Sequence, residues 1–286
     1  MNGQSLLNNV KTAVLLAALG AFCIAVGYLL RGPSGMFVGL LVGLVAAGAS
    51  YWSSDKLAIR AANAVEVTRE QMPQYHAIMA DLCNRANLPM PHLYVSRNPQ
   101  PNAFATGRNP EHAAVCVTEG LLNTLTWDEI QGVLAHELSH VRNRDILIGS
   151  VAAAMAMGIT FAAGMARWAL IFGGGRGNDR DSNPLVALLM LIFAPVAAAV
   201  IKASVSRSRE FEADASAARM LGTGEPLARA LEKLEYGARR IPSGVNPAVS
   251  SAYIVNPLAG ASMANLFATH PPVPERIARL RGNAWV

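Results

Sequence analysis

Charged residues are scarce in this chain of 286 residues: 15% are Asp, Glu, Lys or Arg, whereas soluble domains typically contain about 25%. Hydrophobic residues account for 52% of the sequence. The shortage of charge argues against a chain that is soluble throughout, and it indicates that part of the chain lies in lipid. The length by itself allows one or two domains.

Cysteine is also rare, and Cys23, Cys83 and Cys116 have no spacing typical of metal ligands. So few thiols do not predict a disulfide framework, which fits a reducing compartment. We expect all three side chains to be small buried hydrophobic groups.

Signatures of nucleic-acid binding are missing as well. The sequence has no RNA-binding motif, no zinc-finger spacing and no basic-aromatic stripe, and its net charge is only +5. We therefore predict no nucleic-acid partner. An anionic membrane surface explains the modest positive charge better.

Long apolar runs are plentiful. A helix needs roughly 20 apolar residues to cross the hydrocarbon core, with about 17 as a lower limit, and four runs meet this condition. We predict four transmembrane helices, and we interpret the first as a retained anchor because a second run follows almost at once. The runs cover residues 12–30, 36–52, 146–166 and 184–201.

Glycine recurs at four-residue spacing at the second run, at Gly35, Gly39 and Gly43. Such spacing allows the backbones of two membrane helices to approach closely. Glycine is frequent in any membrane helix, so this interpretation stays one of two at this point.

Lysine and arginine beside the apolar runs predict the orientation. Basic residues follow the second and the fourth run, so we expect both polar segments to be cytoplasmic. Three arginines between the third and fourth runs leave open a shallow hairpin that does not cross completely. The predicted organisation is a two-helix anchor at 1–52, a cytoplasmic segment at 53–145, a transmembrane hairpin at 146–203 and a second cytoplasmic segment at 204–286.

The polar segments mix helical and strand patterns, which predicts an α+β domain. Three short alternating pieces, PHLYVS, NAFATG and AAVCVT, are typical of strands of a small sheet. Thr126 followed by Glu129 matches a capping box, so a helix should begin near Trp127. Further helices are predicted at about 72–86, 206–221, 226–239 and 273–280.

The predicted helix after Trp127 contains HELSH, residues 136–140. Side chains four apart share one face of a helix, so His136 and His140 can reach one metal ion. Glu137 lies beside the first histidine and can take a proton from a water that the metal activates. The pattern by itself is only moderately specific, and a helix that carries two histidines by chance remains the alternative.

A third ligand is available in SRSREFEADASAARM. Glu210 and Asp214 are four apart and share a helix face, so Glu210 can bind the metal while Asp214 accepts the free ring N–H of His136. The alternative is that Glu210 is a surface charge that pairs with Arg207 or Arg209.

Another candidate lies in LFATHPPVPERIARL, where two prolines hold His270 at a rigid turn. A histidine there could donate a hydrogen bond to the oxyanion of a tetrahedral intermediate, although a surface histidine is the simpler interpretation of the local sequence. Arg276, on the helix that follows, could pair with a nearby carboxylate.

These motifs, in the order HELSH, EFEAD after a hydrophobic hairpin, and THPPVPERI, resemble the HtpX family of bacterial membrane metalloproteases. That family is related to the CAAX prenyl endopeptidases and to the mitochondrial Oma protease. The resemblance covers nearly the whole chain. It implies a gluzincin-like α+β protease domain, formed by the two cytoplasmic segments, with one zinc ion held by His136, His140 and Glu210, and with Glu137 as the base.

The resemblance also implies roles for less distinctive residues. His270 becomes a transition-state donor, and Arg276 a supporting residue. PNAFATG resembles the family's edge strand beside the metal, where a substrate could add as a further strand through main-chain hydrogen bonds. We place Asn102, Ala103 and Phe104 in that substrate-binding strand, with an ordinary buried strand as the alternative.

We therefore expect a zinc endopeptidase, multi-pass in the bacterial cytoplasmic membrane, that cuts misfolded or damaged membrane proteins at the cytoplasmic face during quality control and stress response. Its partners are the lipid bilayer and membrane protein substrates, and no oligomeric state is predicted. An intramembrane-cleaving protease would need HExxH inside an apolar run, which is not the case here. A metal transporter or scaffold is the non-enzymatic alternative, but transport predicts ionisable residues inside the spans, and the four runs contain none.

Overall fold

The computed structural model describes residues 3–151, 207–238 and 271–285. These residues form an N-terminal helical hairpin and an α+β domain. The helices are α1 (Gly3–Trp52), α2 (Ser54–Ala61), α3 (Pro73–Ala86), α4 (Glu119–Thr124), α5 (Trp127–Arg142), α6 (Arg207–Leu221), α7 (Glu225–Ala238) and α8 (Val273–Arg281). The strands are β1 (Ala64–Glu66), β2 (His92–Ser96), β3 (Ala103–Gly107) and β4 (Ala113–Thr118).

Helix α1 folds back on itself at Gly32, whose φ of +63° is accessible to glycine at little cost. A Cβ atom on Gly39 would overlap the backbone of Cys23 in the preceding half, and one on Gly43 would lie 3.1 Å from the Cα of Gly20. The close helix approach predicted from the glycine spacing is therefore confirmed. A straight helix would hold Gly39 and Cys23 about 24 Å apart, so α1 is a hairpin of two packed halves.

Among the described residues, one helical stretch is long and apolar enough to cross a membrane, Gly32–Ala49 in the second half of α1. Its outward side chains are apolar and exposed, and Phe37 for example is 76% exposed. A shorter apolar stretch, Thr12–Ala25, precedes it. Most of the third run and all of the fourth lie outside the described residues, so only part of the four-helix prediction is supported.

The sheet has the strand order β1-β2-β4-β3, with β2 parallel to β4 and the two outer strands antiparallel to their neighbours. The three strands expected from the sequence are confirmed, and β3 lies at an edge of the sheet as expected. Strand β1 was missed because its three residues are too few to show an alternating pattern.

Both polar segments contribute to one hydrophobic core. Leu134 and Leu138 of α5 pack in the same cluster as Ala217 of α6 and Leu231 of α7. Helices α5 and α7 approach so closely that a Cβ atom on Gly132 would lie 2.5 Å from a backbone nitrogen of α7. The predicted interruption by a membrane hairpin thus separates the two segments in sequence but not in space.

The two cysteines of the α+β domain are free and buried, as expected, whereas Cys23 of α1 is free but only partly buried. Burial raises the pKa of Cys83 to about 11 and that of Cys116 to about 12. Because the thiolate is the reactive form, neither should react with a maleimide at pH 8 in the folded protein, and both should react after unfolding. Mass spectrometry of the labelled Cys23→Ser variant measures this, and fast labelling of Cys116 without denaturant would contradict the described packing.

Candidate metal centre

Three potential ligands converge where α5 packs against α6. The Nε2 atoms of His136 and His140 lie 3.2 Å apart. Carboxylate oxygens of Glu210 lie 3.7 Å from the first nitrogen and 3.6 Å from the second. Helix α5 begins with the predicted capping box at Thr126 and places both histidines on one face. Glu210, in the first turn of α6, is buried and faces the rings, so it is not an exposed surface charge.

This donor set fits a zinc ion. Ligands at about 2.0–2.1 Å from a tetrahedral zinc lie about 3.3 Å from one another, close to the separations between the two ring nitrogens and between each nitrogen and its nearer Glu210 oxygen. Two imidazole nitrogens and one carboxylate are ligand types that zinc accepts, and three protein ligands leave a fourth position open. It is the one such group of His, Cys, Asp or Glu side chains found in the part of the chain that the structure describes.

The electrostatic surroundings favour a cation at the same place. Burial by itself would lower the pKa of His140, but its hydrogen bond to Asp145 and the charges of Glu210 and Glu137 outweigh burial and raise the pKa to about 9. The carboxylates that stabilise a protonated imidazole at this place would also stabilise a bound cation.

Glu137 occupies the position between the histidines and the sheet edge. Its side chain is buried, and burial raises the pKa of its carboxyl group, against the opposing effect of His136 and His140. One carboxylate oxygen accepts a hydrogen bond of 2.9 Å from the backbone N–H of Ala105 in β3. The carboxyl group is therefore held at the open edge of the sheet, where its raised pKa suits a group that takes up and releases a proton.

Asp214 and Arg276 form a buried support behind His136. An oxygen of Asp214 lies 2.9 Å from Nδ1 of His136, the two groups that the sequence analysis expects to meet. Arg276 is completely buried and binds both oxygens of Asp214, at 2.8 Å through Nε and 2.7 Å through Nη2. Burial alone would raise the pKa of Asp214, but the charge and hydrogen bonds of Arg276 outweigh it and hold the pKa well below its usual value. The expectation from the sequence was that Arg276 pairs with a nearby carboxylate, and the structure identifies that carboxylate as Asp214.

His140 has a carboxylate partner that sequence reasoning missed. Nδ1 of His140 lies 3.2 Å from an oxygen of Asp145, and the other oxygen of Asp145 lies 3.5 Å from Arg209 of α6. The signal available in the sequence was a lone aspartate five residues after the second histidine, between that histidine and an apolar run.

Comparison with known proteins agrees with this geometry. The model of peptidase family M48 matches residues 69–284. The chain belongs to that family. It is therefore a metalloendopeptidase, a hydrolase of peptide bonds, in a family whose members are zinc-dependent.

Curated relatives of this M48 peptidase include three bacterial proteins described as protease HtpX homologs. The protein of Desulforapulum autotrophicum is 50% identical, over 96% of this chain and 89% of its own length. That of Pelotomaculum thermopropionicum is 48% identical, over 97% and 100%. That of Burkholderia thailandensis is 46% identical, over 96% of both. The crystal structure of S. mikatae Ste24p is similar with a TM-score of 0.49 at 18% identity, over 98% of this chain and 66% of that one.

In this M48 peptidase, strand β3 presents an edge to the centre. The main-chain N–H groups of Ala105 and Gly107 point away from β4, towards Glu137 and Ser150. Because alternate residues of a strand face opposite edges, Ala103 also faces the open edge. The main chain of Asn102 is instead bonded to Thr118 on the β4 side. Of the predicted substrate-binding residues, only Ala103 therefore has main-chain groups directed to that edge, and Asn102, Ala103 and Phe104 are all buried.

The predicted transition-state donor, His270, lies outside the described residues. Pro271, directly after it, is buried two residues before α8 begins. The same helix carries Arg276 to the buried support of His136.

Proposed function

We propose that this M48 peptidase is a zinc endopeptidase that cuts misfolded or damaged membrane proteins at the cytoplasmic face of the bacterial membrane. His136, His140 and Glu210 would hold the zinc ion. The observation that carries the proposal is the convergence of these three ligand atoms beside Glu137 and the open edge of β3.

Zinc, when bound, would lower the pKa of water to about 7 and polarise the carbonyl group of the substrate. Glu137 would take the proton of the attacking water and pass it to the leaving amine, a transfer worth about 10²- to 10⁴-fold in rate. Asp214, held by Arg276, would accept the ring N–H of His136 and so keep its Nε2 free to bind. His270 would donate to the oxyanion.

A substrate would add to the sheet as a strand beside β3. The main-chain groups of Ala103 and the carbonyl group of Ala105 face that edge, on the same side as the carboxylate of Glu137. Main-chain hydrogen bonds bind an extended peptide with little regard to its sequence, which suits substrates defined by being unfolded. Asn102 and Phe104 would fix the strand from within the domain.

Membrane proteins are the proposed substrates because the centre lies next to the membrane-associated part of the chain. Helix α5 ends at Arg142, and a helix that opens the third apolar run begins at Asp145. We further propose four transmembrane helices within 1–52 and 146–203, with the protease domain, 53–145 and 204–286, on the cytoplasmic side. For this substrate class, the role that we propose is in quality control and stress response.

Removing the metal from the purified full-length protein should abolish cleavage of an unfolded membrane protein, and one equivalent of zinc per chain should restore it. Gel-based cleavage assays with measured zinc content test this. Cleavage that survives complete removal of metal would contradict the proposal. Mass spectrometry of the products distinguishes the alternatives, since cuts confined to membrane spans would favour an intramembrane protease. Zinc flux into vesicles without any cleavage would favour a transporter.

A further inference from the structure

The helical residues 145–151 are named here the junction helix. They contact the candidate ligand His140, the edge strand β3 and the N-terminal hairpin. We propose that the junction helix positions the active site on the membrane anchor, with Asp145 orienting the second zinc ligand, His140, and Ser150 fixing the substrate strand β3. This rests on the roles proposed above for His140 and β3. Asp145 and Ser150 are thus positioning residues that act through other groups.

Asp145 is placed to fix the ring of His140. It is buried, and its two oxygens lie 3.2 Å from Nδ1 of His140 and 3.5 Å from Arg209. A carboxylate that accepts the Nδ1 proton leaves Nε2 unprotonated and fixes the ring plane, which is what a metal ligand requires. Arg209 precedes Glu210 on α6, so the same contact links the two helices that carry the ligands.

Ser150 is placed to fix the end of the substrate strand. Its hydroxyl group lies 2.7 Å from the hydroxyl group of Thr106 and accepts a 3.3 Å hydrogen bond from the N–H of Gly107. Gly107 N–H is one of the groups on the open edge of β3. Ser150 therefore occupies the edge at that end, while the N–H of Ala105 is bonded to Glu137 and its carbonyl group faces the same edge.

The opposite side of the junction helix packs on the hairpin. Leu147, Ile148 and Val151 form a separate apolar cluster with Leu19 of α1. Ile146 belongs instead to the core of the protease domain. Two helical turns thus connect the N-terminal hairpin, His140 and the edge of β3. The position of His140 relative to β3 therefore depends on how the hairpin packs against the junction helix.

The test compares variants of the full-length protein in nanodiscs. Asp145→Ala should weaken zinc binding by about 10- to 100-fold in chelator competition and change the visible absorption of the Co²⁺-loaded protein. Asp145→Asn keeps an oxygen acceptor for the ring N–H, and its zinc affinity should fall between those of Asp145→Ala and wild type. Asp128→Asn, an exposed change on α5 that breaks only a surface ion pair with Arg229, should alter neither quantity.

Ser150→Ala should weaken substrate binding and leave zinc binding unchanged. The substitution removes the hydrogen bonds to Thr106 and Gly107, and the loss of even one of them corresponds to about a fivefold rise in KM for a peptide substrate, with zinc affinity and the Co²⁺ spectrum unchanged. A general loss of stability would instead change zinc affinity and KM in both variants, and it would also lower their melting temperatures. The metal measurements need no substrate, so they are independent of whether membrane proteins are the true substrates.

Wild-type zinc affinity and an unchanged Co²⁺ spectrum in Asp145→Ala would overturn the role of Asp145. Unchanged KM in Ser150→Ala would overturn the role of Ser150. Failure of the proposed function is recognised separately, as wild-type protein that binds zinc with the expected affinity but cuts no protein.

Discussion

Glu137→Gln should lower kcat by about 10²- to 10⁴-fold while the protein still binds one zinc ion per chain. Glutamine has almost the same shape as glutamate and can still accept the N–H of Ala105, so the strand edge should keep its position. It cannot take up a proton from water, and the proton transfer to the leaving amine is lost with it. Steady-state cleavage of a fluorogenic peptide, with zinc content measured on the same sample, gives both numbers.

The matched control for this variant is Asp128→Asn, which removes a carboxylate on the same helix at an exposed position paired with Arg229. It should leave kcat within about twofold, because an exposed ion pair contributes at most about 1 kcal/mol and lies away from the centre. Wild-type kcat in a zinc-loaded Glu137→Gln sample would show that another group is the base.

Arg276→Met should destabilise the protease domain by about 3–5 kcal/mol and weaken zinc binding as well. The guanidinium group is completely buried and neutralises Asp214, so its removal leaves a buried carboxylate without its main counter-charge. That carboxylate also faces Nδ1 of His136, which explains the effect on zinc. Denaturant unfolding of the zinc-free and zinc-loaded forms measures the two effects.

Two comparisons make this prediction specific. Arg229→Met breaks an ion pair between exposed side chains and should cost less than about 1 kcal/mol. The double variant Asp214→Asn/Arg276→Met should lose less stability than the two single variants together, because the unpaired charge is then gone. Strict additivity would mean that the two side chains do not stabilise each other.

The ion pair of Asp214 and Arg276 should make the folded protein less stable at acidic pH. The folded-state pKa of Asp214 is depressed, whereas an unfolded chain has an Asp pKa of about 3.9. The contribution of Asp214 is therefore present at neutral pH and is lost as the pH falls below about 4 towards the folded-state pKa.

The ligand set could be predicted from sequence because it depends on helical periodicity alone. His136 and His140 are four apart, as are Glu210 and Asp214, and each helix keeps such pairs on one face. The capping box indicates where α5 begins, which places both histidines inside the helix. Tertiary structure had only to bring two predicted faces together.

Other features depend on how the chain turns, which periodicity does not describe. Helix α5 ends at Arg142, and Arg144 adopts a positive φ of 58° before the next helix begins. This change of chain direction brings the side chain of Asp145 to His140. Ala105 contributes a main-chain N–H, which has no signature in the sequence. The partner of Arg276 lies 62 residues away in the chain, so only the packing of α8 on α6 reveals it.

Zinc content and the zinc X-ray absorption spectrum, compared between Glu210→Gln and Glu212→Gln, test the central assignment most directly. The two glutamates lie two residues apart on α6, but Glu210 faces the histidines and Glu212 binds Arg219 at the surface. The wild type and Glu212→Gln should each hold one zinc ion with two imidazole ligands and one carboxylate, and Glu210→Gln should lose most of its zinc. Full zinc occupancy and an unchanged spectrum in Glu210→Gln would contradict the proposed metal centre.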